Sequence, residues 1–217
     1  MRINHLPVRL IWSCLLLLVT LSSAGCRRER GGLLLYDRFG NPDSGWGKAS
    51  TEAFDRGYQD GEYFIEVYEP NWLAWAAAGQ RFTDVALDIE ARPHSVSGDD
   101  HFGVLCRYRA PDSFYYFALT ADGRYAILRV SEGRPTVLTG DGFLSSPAIP
   151  VDAEVYRLRA VCQGEDLALY VDGQPVAAAS DDALRRGDVG LAVGSGPQGN
   201  ARVHFDNLSV LAPEEGE

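Results

Sequence analysis

The chain carries few residues whose type and spacing could do covalent chemistry. Asp84, Asp88 and Glu90 fall in the run Asp84-Val85-Ala86-Leu87-Asp88-Ile89-Glu90. Side chains two apart on a strand share a face, so Asp88 and Glu90 stand on the same side. A retaining glycosidase needs two carboxylates about 5–5.5 Å apart, and such a pair could supply them. The run continues into Arg92, however, and a solvated strand face of mixed charge accounts for the same letters. The histidines, His5, His94, His101 and His204, are scattered and stand in no recognisable nucleophile–base context. Gly194-Ser195-Gly196-Pro197-Gln198-Gly199 spells G-x-G-x-x-G, but it contains Pro197 and precedes a strand-like run, Ala201 to Leu211. Without a helix N-terminus behind it the motif is a loop, not a pyrophosphate cradle.

Aromatic residues offer different chemistry. A sugar ring is recognised by a flat apolar platform flanked by hydrogen-bonding groups. Glu69-Pro70-Asn71-Trp72-Leu73-Ala74-Trp75 opens at a turn and places two indoles three residues apart, which on an ideal strand puts them on opposite faces. At least one should reach solvent. In Phe114-Tyr115-Tyr116-Phe117 adjacent side chains alternate, so one tyrosine should face away from the core. Arg107, with Arg109 and Asp112, could add polar contacts on the neighbouring strand or turn. The candidate ligand-binding set is therefore Trp72, Trp75, Arg107, Tyr115 and Tyr116.

The elements that must position these residues are strands. Asp84 to Arg92, Arg157 to Cys162, Asp166 to Val171 and Arg202 to Val210 alternate polar and apolar residues, the period of a half-buried strand. Asp60-Gly61, Asp122-Gly123 and Asp172-Gly173 punctuate the runs as hairpin turns, because Asp and Gly tolerate positive φ. Ala110-Pro111-Asp112-Ser113 is a further turn. The best helical window, Asp181 to Arg186, is about one turn long and is closed by Gly187. Thr139 to Asp152, with Pro147 and Pro150, should cross from one sheet to another. Many antiparallel strands with little helix predict an all-β, two-sheet sandwich.

Of the 217 residues, the first 25 have an export signal's order: Arg2 and Arg9, an apolar core through Leu15-Leu16-Leu17-Leu18-Val19, then small residues. The ending Ser23-Ala24-Gly25-Cys26 resembles the lipobox of bacterial lipoproteins, although Ser23 stands where that family usually has Leu. The resemblance implies lipidation of Cys26 and attachment to a membrane outside the cytoplasm through two acyl chains. Arg27 to Gly32 then form a polar tether, residues 33–211 the sandwich and residues 212–217 an acidic tail. Removing residues 1–25 takes away Arg2 and Arg9 and changes the formal charge from −10 to −12. Such a balance excludes a nucleic-acid partner, which needs clustered Lys and Arg. Cys106 and Cys162 are left in the body, each in a strand-like run. A bridge between them would stabilise the domain by about 4 kcal/mol on chain-entropy grounds. Two buried thiols are the alternative.

Phe102-Gly103-Val104-Leu105-Cys106-Arg107-Tyr108, Phe114 to Leu119, Leu167 to Val176 and Phe205-Asp206-Asn207-Leu208-Ser209-Val210 resemble bacterial concanavalin A-like lectin/glucanase domains of jelly-roll fold. That group includes laminin G-like, laminarinase-type and keto-disaccharide hydrolase-like domains. The resemblance implies the jelly roll and a sugar-related role, while one such fold hosts lectins, hydrolases and protein-binding modules. Laminarinase-type enzymes carry Glu-x-Asp-x-x-Glu on one strand, and the run around Asp88 lacks the leading Glu. The resemblance also suggests a structural calcium held near the first and last strands by Asp37 and Asp206, against strand-end hydrogen bonding by the same two residues. The expected function is non-catalytic carbohydrate binding on a lipid anchor. A glycosidase or keto-disaccharide hydrolase, and a module for a protein partner or the envelope's structure, are the alternatives.

Overall fold

The computed structural model describes residues 32–213, so the leader, Cys26, nearly all of the tether and most of the acidic tail lie outside the described residues. Among the described residues every regular element is a strand. One sheet contains β1 (Leu33–Asp37), β2 (Ala49–Ser50), β3 (Phe54–Gln59), β4 (Glu62–Val67) and β6 (Val85–Ser95). It is completed by β12 (Tyr156–Gln163), β13 (Asp166–Val171), β14 (Gln174–Ser180) and β16 (Ala201–Leu211). The other contains β5 (Leu73–Ala77), β7 (His101–Ala110), β8 (Ser113–Leu119), β9 (Arg124–Ser131), β10 (Arg134–Val137), β11 (Leu144–Ser145) and β15 (Asp188–Gly194). The nine-stranded sheet runs β14-β13-β12-β6-β16-β4-β3-β2 with β1 beside β16, and the seven-stranded sheet runs β10-β9-β8-β7-β15-β5 with β11 beside β9. This is the all-β sandwich that the alternation predicts, and its core forms where the two inner faces meet.

Tyr63, Ile65 and Val67 of β4, Leu87 and Ile89 of β6, and Val203 and Phe205 of β16 enter that core from one side. Phe102 and Val104 of β7, Tyr115 and Phe117 of β8, and Leu191 and Val193 of β15 enter from the other. Each large apolar side chain buried there contributes roughly 1.5–3 kcal/mol. Cys106 of β7 and Cys162 of β12 are disulfide-bonded across the core, 56 residues apart, and join the two sheets covalently. Asp60-Gly61 and Asp172-Gly173 take positive φ at both positions, as two-residue hairpin turns require, whereas at Asp122-Gly123 only the glycine does. The crossing segment does pass between sheets, and on its way lends β11 to the edge of β9.

Two expectations need correction here. Asp181 to Arg186 is not a helical turn. Side chains hold it instead: the Tyr115 hydroxyl accepts from the Leu184 amide and shares its one proton between Asp181 Oδ1 at 2.6 Å and the Asp181 carbonyl at 3.1 Å, and Arg107 Nη1 donates to the Leu184 carbonyl at 2.7 Å. Arg107 is not a surface ligand. It sits at positive φ in the β-bulge between Cys106 and Ala110, which turns its side chain into the interior. There it is fully buried, donates to the carbonyls of Thr83, Gly164 and Leu184, and pairs with Asp84 at 3.1 Å. Burial lowers its pKa, and Asp84 opposes that shift by favouring the charged form.

Candidate functional site

The outer faces of the two sheets differ in chemistry. On the nine-stranded sheet the outward residues of four adjacent strands form a lattice of ion pairs. Arg159 meets Asp88 at 2.8 Å, Arg157 and Arg92 meet Glu90 at 3.2 and 2.7 Å, Arg92 reaches Glu62, and Arg202 meets Glu66. Asp88 and Glu90 do share a face, and both are engaged by arginines, as the solvated-face reading requires. Burial raises the Glu90 pKa, but the hydrogen bonds from Arg92 and Asn207 outweigh it and hold the carboxyl below its ordinary value.

On the seven-stranded sheet the outward residues are apolar. Leu105, Phe114, Tyr116, Ala118 and Ala192 form a second buried cluster, with Leu73, Trp75, Tyr108, Leu128, Val130 and Phe143 packed against it. Trp75 lies on this face with its ring centroid 6.3 Å from that of Tyr108 and 6.2 Å from that of Phe114. Alternation separates the paired tyrosines as expected: Tyr115 enters the core and Tyr116 the outer cluster. Neither presents its ring to a ligand, because both are buried. The Tyr115 hydroxyl donates to Asp181, while that of Tyr116 lies 2.9 Å from His101 Nδ1. Burial pushes the Tyr115 hydroxyl up to about 12 and the Tyr116 hydroxyl well above its usual range.

Trp72 is the expected aromatic that reaches solvent, with 46% of its surface exposed just before β5 begins. It borders an open cleft of about 310 Å³ lined by Asn71, Leu73, Asp99, His101, Ser195, Gly196 and Pro197. It also lines a smaller apolar depression of about 170 Å³, together with Phe54, Arg56, Leu73, Ala74 and Trp75. A flat apolar ring that borders both a polar and an apolar hollow can hold the face of a sugar while side groups bond its hydroxyls.

Three loops build the cleft and are stitched together. Ser195 Oγ accepts from the Trp72 amide and donates to the Glu69 carbonyl, while the Ser195 amide donates to the Trp72 carbonyl. The buried Asp100 carboxylate accepts from the amides of Ser97 and Gly196, both at 2.6 Å, so the wall before β7 is tied to the wall after β15. Asp99 accepts from Arg124 at 3.1 Å. The His101 ring forms the floor and lies over Gly194, where an added Cβ would stand 2.0 Å from the ring. Burial lowers its pKa to about 4 despite the nearby Asp100 and Asp99 charges, so the imidazole is neutral at pH 7. A site fixed in this way loses little freedom on binding.

Asp37 and Asp206 lie at the edge where β1 meets β16. Asp37 accepts from the Phe39 amide at 2.7 Å and from Trp46 Nε1 at 3.0 Å, and Asp206 accepts from the Asn207 amide. These are the strand-end bonds weighed against calcium. Of the expected ligand residues, Trp72 and Trp75 border the apolar depression, whereas Arg107, Tyr115 and Tyr116 are interior. Sequence reasoning missed Asn71, Asp99, His101 and Pro197 as cleft residues. The legible signal was the Gly194–Gly199 loop, read correctly as a loop but not as a wall.

No protein-family model matches the chain, and no curated protein matches it. Solved structures do. A protein of unknown function with galectin-like fold from Bacillus subtilis aligns with a TM-score of 0.65 at 10% identity, covering 85% of this chain and 97% of that one. The Bacillus licheniformis β-glucanase aligns with a TM-score of 0.61 at 13% identity, over 84% and 99% of the two chains. The carbohydrate-binding module CBM66 from Bacillus subtilis aligns with a TM-score of 0.53 at 18% identity, over 82% and 96%. These likenesses establish the fold, a jelly-roll sandwich of the concanavalin A and galectin kind.

Proposed function

We propose that the protein is a non-catalytic carbohydrate-binding domain, lipid-anchored through Cys26 outside the cytoplasm, with its glycan site at the Trp72 cleft. The observation that carries this reading is a half-exposed indole beside Asn71, Asp99 and His101 in a cleft whose walls are held by Ser195 and Asp100. The carboxylates nearest the platform have other work: Asp100 bonds backbone amides and Asp99 pairs with Arg124. The structural likeness to a carbohydrate-binding module and to glycoside hydrolases supports a sugar ligand.

A glycan array probed with the purified chain, with and without a chelator, tests the reading. The expected result is a defined set of glycans bound by the wild type and lost in Trp72→Ala. Hydrolysis of a bound glycan would favour the sugar-processing alternative, and no glycan above background would favour a protein-binding or structural module. Dependence on the chelator would support the calcium expectation for Asp37 and Asp206. The anchor is tested separately by incorporation of labelled fatty acid in cells, expected for the wild type and absent in Cys26→Ser.

A further inference from the structure

The ion-pair lattice on the nine-stranded sheet contains one group of a different kind. Glu62 of β4, His94 of β6 and His204 of β16 each offer a donor atom, and the three lie within 4.8 Å of one another. Register brings them together. Val203 pairs with Pro93 and Arg202 with Ser95, so His94 is the extra residue of a β-bulge and has no residue directly opposite it. A bulge of this kind re-aims a side chain. The two imidazole rings lie 4.1 Å apart, and His204 Nδ1 lies 3.0 Å from Glu62 Oε2.

We propose that Glu62, His94 and His204 form a binding site for a divalent first-row transition metal that favours imidazole, with zinc as the representative ion. Two histidines and a carboxylate, with the fourth position open to water, are a recurrent zinc donor set. With Zn–N bonds of about 2.0–2.1 Å, the donors of a tetrahedral zinc stand about 3.4 Å apart, so the His204–Glu62 pair at 3.0 Å must open slightly while His94 takes up the same spacing. His94 is exposed and can turn, while His204 is held nearly buried against Phe64. Arg92 reaches Glu62 Oε1 at 3.3 Å, which orients the carboxylate with Oε2 toward the histidines.

Arg202 is the competitor. Its Nε donates to His204 Nε2 at 3.1 Å, so the ring proton sits on Nδ1 and points at Glu62. Metal capture at Nδ1 moves that proton to Nε2, where it faces the Arg202 N–H, and Arg202 must withdraw toward Glu66 and Gln59, which already hold its other two nitrogens. The arginine thus lowers the affinity of the site without lining it.

The test is calorimetric titration of untagged, chelator-stripped full chain with zinc chloride, with cobalt(II) absorption as a second probe of tetrahedral coordination. The expected result is one zinc per chain, at least tenfold weaker in His94→Ala, weaker in Glu62→Gln, and several-fold tighter in Arg202→Gln. His94 is exposed, so its variant should keep the wild-type circular dichroism. Equal zinc binding by wild type and folded His94→Ala, no zinc binding below millimolar concentration, or weaker binding in folded Arg202→Gln would each overturn the proposal.

Discussion

The two sheets contribute to the same core by the same alternation, yet their outer faces are opposites. One presents paired arginines and carboxylates. The other presents aromatic and aliphatic side chains that bury one another. Exposed ion pairs contribute little each, with a median of about 0–1 kcal/mol, so the charged face serves solubility and geometry more than stability. The aromatic face removes apolar area from water and also supports the floor of the cleft through the contact between Tyr116 and His101. Stability and the proposed recognition are therefore coupled on one face and separated on the other.

The largest test of that contrast is Tyr116→Ala. It should cost about 3–5 kcal/mol in chemical denaturation, as for other buried aromatics, because it empties the outer cluster and leaves His101 without its partner. A cost near zero would mean that the second cluster adds nothing to the fold. Next is pH. The His101 pKa is about 4 in the folded protein, so the unfolded chain, with an ordinary value near 6.5, binds the proton more readily. Stability from this group is complete above about pH 6.5, falls as pH drops and levels off below about 4, by up to about 3 kcal/mol. Thermal melts across this window should show that slope in the wild type and a shallower one in His101→Gln.

Trp72→Ala should separate recognition from stability. It should lower glycan affinity roughly ten- to hundredfold while changing unfolding free energy by no more than about 1 kcal/mol. Equal losses in both would place Trp72 among the structural aromatics. The smallest effect belongs to the charged face. Glu90→Gln removes the partner of Arg92, Arg157 and Asn207 and should cost about 1 kcal/mol or less, shrinking as salt is raised. A cost of several kcal/mol would overturn the division between the faces.

Much of the framework was legible in the sequence because it is local. Alternation gave the strands and Asp-Gly gave hairpins, while two strand-like cysteines left a disulfide and two buried thiols open until the sheets brought Cys106 and Cys162 together. The hairpin at Glu132-Gly133 was missed, since Glu-Gly is a weaker turn signal than Asp-Gly although both residues take positive φ. What remained hidden depends on pairing between distant segments. Arg107 reads as an outward polar residue until the bulge turns it inward. Tyr116 faces away from the core as alternation requires, but its burial depends on a second layer that no period reveals. The cleft joins residues near positions 71, 99 and 195 from three loops, and the triad of Glu62, His94 and His204 exists only once β4, β6 and β16 are in register.

The place of β16 has a consequence for the order in which the chain can be built. This strand pairs along one edge with β6 and along the other with β4 and then β1. Everything before it in the nine-stranded sheet therefore waits as three separate pieces, β1 alone, β2 to β4 together, and β6 with β12 to β14 together. During synthesis none of these pieces has its central neighbour until Ala201 to Leu211 emerge. The nascent chain must carry these unpaired strands until the last strand of the sandwich emerges, a period in which a holding chaperone would matter more than in a fold whose early strands pair with one another.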